Sequence, residues 1–196
     1  MIQGKRVSFR AFSRDDIPTL VRWQNDGEVM QYWGERQPIV APSAFDAEFD
    51  QGGRFARFDE RGELCLCDEN GRPIGRFGYK GAAFRDRHVE IFLYIGERDA
   101  QGKGYGTEAI VLMLNWLFIH RGMHRVWLTV QAENARAIHT YEKVGFIREG
   151  IFREHYFRDG AFRDEIIFGM LAREFTARYR PEETGLVVSG EIPAIS

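Results

Sequence analysis

Residues Gln101 to Thr107, Gln-Gly-Lys-Gly-Tyr-Gly-Thr, set three glycines at alternate positions between an apolar strand pattern and a long helical one. No other stretch narrows the fold as much. A strand, a glycine turn and a helix in that order commit the chain to a strand-to-helix crossover. A helix entered through glycines leaves consecutive backbone N–H groups and the positive end of the helix dipole aimed at one spot, which makes a cradle for an anion. Two nucleotide signatures fail on spacing. A P-loop needs Gly-Lys-Ser/Thr after its four variable residues, whereas Lys103 lies between the first two glycines and is followed by Gly104. The dinucleotide fingerprint Gly-x-Gly-x-x-Gly needs glycine where Thr107 stands, with Gly106 one position early, and the chain has a single crossover unit. A turn that uses glycine only for tight geometry stays open at this point.

Patterning on either side fills in the fold. Val7, Phe9 and Ala11 alternate with polar residues and predict a half-buried first strand. Ser13 is placed to cap a helix whose stripe is Ile17, Leu20 and Val21, extended by Trp23. An irregular stretch follows, with one short helix predicted around Ser43 to Asp50. Residues 54–96 read as three antiparallel strands with an Asn70-Gly71 turn, the last strand being His88 to Ile95. After the glycine loop come a helix from about Thr107 to Arg121, a strand at His124 to Gln131, and a second helix beginning at Asn134. That helix has Ala135, Ile138, His139 and Val144 available for an inner face and Gly145 as its stop. Two long strands joined at Arg158-Asp159-Gly160 close the pattern, and Gly185 to Gly190 offers one more short strand. The expectation is an α+β (mixed α/β) fold with a mostly antiparallel sheet of six to seven strands, one β-α-β crossover and about four helices. Residues 1–175 form the domain and 176–196 a tail.

Composition excludes several classes. The 196 residues carry a formal net charge of -2 and a pI near 6.2, so the chain has no basic field suited to a nucleic acid. No run of 18 apolar residues and no apolar leader occur, which predicts no membrane partner and a cytoplasmic location. Cys65 and Cys67 fall on one face of a strand and read as small core residues in a reducing compartment. His120, His124, His139 and His155 are scattered without metal spacing, and no metal is expected.

With the neighbouring segments added, the loop becomes specific. Gln101-Gly-Lys-Gly-Tyr-Gly-Thr-Glu-Ala resembles the Gln/Arg-x-x-Gly-x-Gly/Ala signature of the GNAT N-acetyltransferases, in which loop amides hold the pyrophosphate of acetyl-CoA. The block His124 to Gly150 is similar to that family's later coenzyme and catalytic segment. The closing block, from Phe152 to Leu171, is similar to the ribosomal-protein and spermidine N-acetyltransferase branch, as is the stretch from Glu28 to Pro38. The resemblance covers about residues 5 to 175. It implies the GNAT fold, acetyl-CoA as co-substrate, and a coenzyme site made of Gln101, Gly102, Lys103, Gly104, Tyr105, Gly106, Thr107, Asn134 and Ala137. It adds a main-chain donor from Leu93, Tyr94 or Ile95 for the thioester carbonyl, Tyr94 also lining the cleft.

The implied reaction is acetyl transfer to an amine. An alkylammonium with a pKa of about 10.4 must lose a proton before it attacks, so a base, direct or through water, is required. Glu90 matches the family's strand acid; it also fits an ordinary outward-facing strand position, and Glu97 is the weaker candidate. Tyr141 coincides with the family's general-acid tyrosine, although helical spacing equally allows a core aromatic. Asn134 lies seven residues earlier on nearly the same face and doubles as a helix cap. The acceptor is a polyamine, a protein N-terminus or another small amine. An acidic groove for a polyamine would draw on Glu28, Glu35, Glu48 and the acids of Phe45 to Asp50, which otherwise form a solvated helix face. A non-catalytic acyl-CoA-binding or sensing domain is the alternative. Edge strands and the tail are compatible with a homodimer or higher homo-oligomer.

Overall fold

In the computed structural model, residues 1–33, 39–50 and 61–180 and the backbone of Val187–Val188 are described. Glu35 and the start of the first predicted central strand, 54–60, lie outside them. The order is β1 (Ile2–Gln3), β2 (Ser8–Ala11), α1 (Ile17–Gln24), α2 (Pro42–Asp50), β3 (Gly62–Cys67), β4 (Pro73–Ala83), β5 (His88–Ile95) and α3 (Tyr105–Asn115). It continues with β6 (Arg125–Gln131), α4 (Ala135–Val144), β7 (Ile147–Arg158), β8 (Ala161–Leu171), α5 (Ala172–Arg178) and β9 (Val187–Val188). The strands form one sheet in the order β7-β8-β6-β5-β4-β3-β2-β1-β9. Every described pairing is antiparallel except β5 with β6, the two strands joined through α3.

Among the described residues the sheet holds nine strands where six to seven were expected, and there are five α-helices where about four were expected. The surplus comes from β1, two residues with no periodicity to read, and from β9, which falls within the short strand offered at Gly185 to Gly190. Helix α5 carries regular structure past residue 175.

Hydrophobic alternation divides the sheet into two faces. Val89 and Ile91 of β5 and Val126, Leu128 and Val130 of β6 point to the core shared with α3, α4 and α5. The opposite face carries α1 and α2, packed through Ile17, Leu20, Trp23 and Phe45 over Cys65, Cys67 and Tyr94. At the front the alternation breaks one residue early: Ala11 is exposed and Phe12 buried. There the chain turns into α1, and the Asp16 carboxylate accepts from the Ser13 N–H at 2.8 Å and from Arg10 twice at 2.7 Å. Burial pushes this carboxyl up, but the Arg10 and Ser13 hydrogen bonds outweigh it and hold it below the usual range. The β7–β8 hairpin turns as its sequence indicates, with Asp159 and Gly160 at φ 48° and 80°. Helix α3 runs on through a wider π-type turn, Trp116–His120, to the predicted end.

Candidate functional site

Strands β5 and β6 pair only at their first residues. His88, Val89 and Glu90 lie opposite Arg125, Val126 and Trp127, and beyond Glu90 the two strands part. On the other edge of β5, the Gly96 N–H donates to the Ile74 carbonyl at 2.8 Å, and Ile95 lies opposite Gly75. Backbone alternation therefore turns the Leu93 and Ile95 N–H groups away from β4 and into the gap. The Ile95 carbonyl, on the same side, accepts from Gln101 Nε2 at 3.0 Å, and Gln101 Oε1 accepts from Arg136 of α4 at 2.9 Å. One glutamine thus ties the end of β5 to the start of α4 across the mouth of the opening.

The glycine loop starts at that glutamine. Gly102 and Gly104 have φ of 75° and 86°, a left-handed backbone that L side chains seldom adopt, and Gly104 is the residue from which α3 begins. A Cβ on Gly106 would stand 3.8 Å from Leu93 and 4.0 Å from Ile95, ordinary contact distances, so packing alone does not demand glycine there.

The loop is braced from behind. Arg6 donates from its backbone N–H and Nε to the Glu108 carboxylate at 2.6 and 2.8 Å, and from Nη1 to the Lys103 carbonyl at 3.2 Å. Its guanidinium lies 5.3 Å from the centroid of Tyr105, whose hydroxyl is bound by Glu69 at 2.9 Å. That bond to a carboxylate raises the Tyr105 pKa. The Tyr105 side chain is therefore engaged on the β3–β4 turn, and what this residue offers the loop is its backbone.

Helix α4 sits beside the opening. Asn134 is its N-cap, Oδ1 accepting from the Ala137 N–H at 3.1 Å, and Gly145 ends it at φ 109°. The inward residues are Ala137, Ile138, Tyr141 and Val144, whereas Ala135 and His139, expected on that face, are exposed. The ring of Tyr141 packs at 5.8 Å from Phe146 and 6.1 Å from Phe168, and burial pushes its hydroxyl pKa up to about 12.

Across the sheet, Glu90, Phe92 and Tyr94 face α1. Glu90 pairs with Lys80 Nζ at 3.0 Å, directly opposite on β4. Tyr94 packs among Trp23 and Trp33 at 6.1 and 4.9 Å, on the face opposite to the glycine loop. Beneath it, Arg76 and Glu63 form a buried ion pair. Glu97 is held by Arg22 and by the Trp23 indole at 3.0 Å, and the Arg22 hydrogen bond draws its carboxyl below the usual range. Asp46 and Asp50, offered by the sequence to a cationic substrate, are both engaged by Arg14.

A glycine loop at a helix start with an Asn-capped helix beside it is what the sequence resemblance implied, and the parting of β5 from β6 beyond Glu90 lies next to them. A family profile described as an acetyltransferase (GNAT) domain matches residues 6–147. The chain belongs to this family. Among relatives of this GNAT protein, the spermidine N(1)-acetyltransferase of Escherichia coli K12 is 29% identical over 150 residues, 76% of this chain and 77% of that protein. The Vibrio cholerae enzyme of the same name is 26% identical over 147 residues, 75% and 82% of the two chains. A crystal structure of the Vibrio cholerae spermidine N-acetyltransferase in complex with CoA and spermine superposes with a TM-score of 0.78 at 23% identity, covering 87% of this chain and 98% of that one. The GNAT fold is thereby shown.

Of the residues singled out in the sequence, the structure of the GNAT domain brings Gln101, Gly106, Leu93 and Ile95 together beside the splay, with Arg136 of α4 bound to Gln101, and sets Tyr141 of α4 in the core against Phe146 and Phe168. It sets Glu90, at the point where the strands part, and Tyr94 on the other face. Sequence reasoning missed Arg6, Glu108 and Arg136, which brace the loop, and Trp33 and Phe92, which line the α1 side. Arg6 and Glu108 stand 102 positions apart and have no local pattern to reveal them. Among the described residues, no cluster of three metal-ligating side chains occurs, and no helix is long and apolar enough to cross a membrane.

Proposed function

We propose that the protein moves the acetyl group of acetyl-CoA to a primary amine by direct attack. The observation that carries this reading is the splay: Leu93 and Ile95 turn their N–H groups into a gap that the first turn of α3 and its glycine loop overlook. Acetyl-CoA supplies an activated thioester. The amides from about Gly102 to Thr107 hold its pyrophosphate, with Gln101 and Lys103 at the rim and Asn134 and Ala137 at the adjoining wall. A main-chain N–H of Leu93 or Ile95 donates to the thioester carbonyl oxygen, where negative charge grows as the nitrogen attacks.

Glu90, directly or through a water, takes the proton that the acceptor ammonium must lose. Tyr141 Oη then donates its proton to the sulfur as the C–S bond breaks, and the second proton shed by the nitrogen as the amide forms restores the Tyr141 hydroxyl. Burial pushes the Tyr141 hydroxyl pKa up to about 12, so the group is protonated at every working pH and gives up its proton only as charge builds on the sulfur. The spermidine acetyltransferases among the relatives support an amine as the acceptor.

Glu90→Gln is expected to lower kcat/KM about 10- to 100-fold at pH 7. The deficit should shrink as the pH approaches the amine's own pKa of about 10.4, where solvent has already removed the proton. A deficit that does not change with pH would show a structural role for Glu90 and remove it as the base.

Cys65 and Cys67 are free and buried, which supports a reducing, cytoplasmic compartment. Strand β7 is the outermost of the sheet, and it and its hairpin partner β8 expose Ile147, Ile151, Phe152, Phe157 and Phe162, an apolar edge suited to a second copy. A spermidine N-acetyltransferase structure from Vibrio cholerae is described as dodecameric. Light scattering is expected to give a mass that is a multiple of the 22.7 kDa chain; a monomer at micromolar concentration would contradict it.

A further inference from the structure

The α1 face of the splay has a chemistry of its own. Phe92 lies flat across β4: a Cβ on Gly78 would meet its ring atoms at 2.1 to 2.8 Å, so the missing side chain at Gly78 is the seat for the ring. Trp33 stands edge-on to Phe92 with centroids 5.3 Å apart and planes at 74°, and edge-on to Tyr94 at 4.9 Å and 77°. Phe92 and Trp33 are only half-buried. Glu90 lies two residues before Phe92 on the same face of β5.

Among the described residues, several acids around this floor are already paired, Glu90 with Lys80 and others with arginines. Arg14 holds Asp46 and Asp50, Arg98 holds Asp26 and Glu28, Arg22 holds Glu97, and Arg10 holds Asp16. A polyamine carries two or more ammonium groups besides the one acetylated, and each needs an acidic partner when it leaves water. Here it would have to displace an arginine already hydrogen-bonded to that acid. A flat apolar body with one nitrogen displaces a single partner, Lys80 from Glu90, and offsets that loss by stacking against the Phe92 and Trp33 rings.

We propose that the acceptor is a primary amine with one positive charge carried on a flat aromatic body, and that Phe92 and Trp33 select it. The proposal rests on the acetyl-transfer reading given above. The test compares initial rates of CoA release with 2-phenylethylamine, spermidine and a short peptide beginning with serine, at one pH and ionic strength, on the full chain. The expected result is a kcat/KM for 2-phenylethylamine about tenfold or more above that of either competitor. Phe92→Leu, which keeps an apolar side chain but removes the ring, should raise KM for 2-phenylethylamine about three- to tenfold while kcat and acetyl-CoA affinity stay within twofold. Preference for spermidine or for the peptide overturns the aromatic acceptor and leaves acetyl transfer standing. So does a Phe92→Leu variant that binds acetyl-CoA normally and handles all three amines as the parent does. Acetyl-CoA binding without CoA release from any of them overturns acetyl transfer and this proposal together.

Discussion

Tyr141→Phe is expected to lower kcat by about 100-fold or more, with acetyl-CoA affinity within twofold of the parent. The substitution isolates the hydroxyl. The ring contacts with Phe146 at 5.8 Å and Phe168 at 6.1 Å are as available to phenylalanine as to tyrosine, so packing of α4 against β8 is kept and the melting temperature should hardly move. What disappears is the proton donor for the departing sulfur. Because burial raises the hydroxyl pKa to about 12, Tyr141 is neutral throughout pH 6 to 9, and the loss should be the same across that range. This behaviour separates Tyr141 from Glu90, whose loss should be relieved by raising the pH. Unchanged turnover in the phenylalanine variant would return Tyr141 to the role of a core aromatic.

Gly104→Val should act on the other half of the reaction. Gly104 has φ 86° and begins α3, and valine, branched at Cβ, is one of the residues least able to hold that geometry. Its Cβ would also stand 3.3 Å from Arg6 Nη2, on the guanidinium that binds the Lys103 carbonyl. Relief of a strain of about 1–3 kcal/mol would tilt the loop and the first amides of α3 away from the pyrophosphate. A rise of about 10- to 100-fold in the acetyl-CoA dissociation constant is expected by calorimetry, with a smaller change in kcat at saturating coenzyme. An unchanged dissociation constant in a folded variant would show that the loop is a structural turn and that the coenzyme is held elsewhere.

The parts of the fold that were legible in the sequence are those whose cause is local. His88 to Ile95 alternates, Asn134 caps α4, Gly145 stops it, and Asp159-Gly160 takes the positive φ values that a tight hairpin needs; each acts within a few residues. The errors came where a distant partner decides. The inner face of α4 is rotated from the expected one because Tyr141 and Val144 pack on β8 and the shared core, which leaves Ala135 and His139 outside. Ala11 was expected inside, but the chain leaves the sheet at the Ser13–Asp16 turn and buries Phe12 instead.

The candidate site divides in the same way. The glycine loop and the pair Asn134 and Tyr141 stand on single segments and were visible. The acids of α2 looked open to a cation because the arginine that holds them, Arg14, is 32 and 36 positions away. The seat of Phe92 on Gly78 is a cross-strand fit between β5 and β4, which no spacing rule within either strand reveals.

The central claim is tested most directly by mixing the purified full chain with acetyl-CoA and a panel of primary amines and following free CoA together with the mass of the amine. The account predicts CoA release that depends on the amine, matched mole for mole by acetylated amine. Tight binding of acetyl-CoA with no amine-dependent release would contradict it and leave a coenzyme-sensing domain; failure to bind acetyl-CoA at all would contradict the site itself.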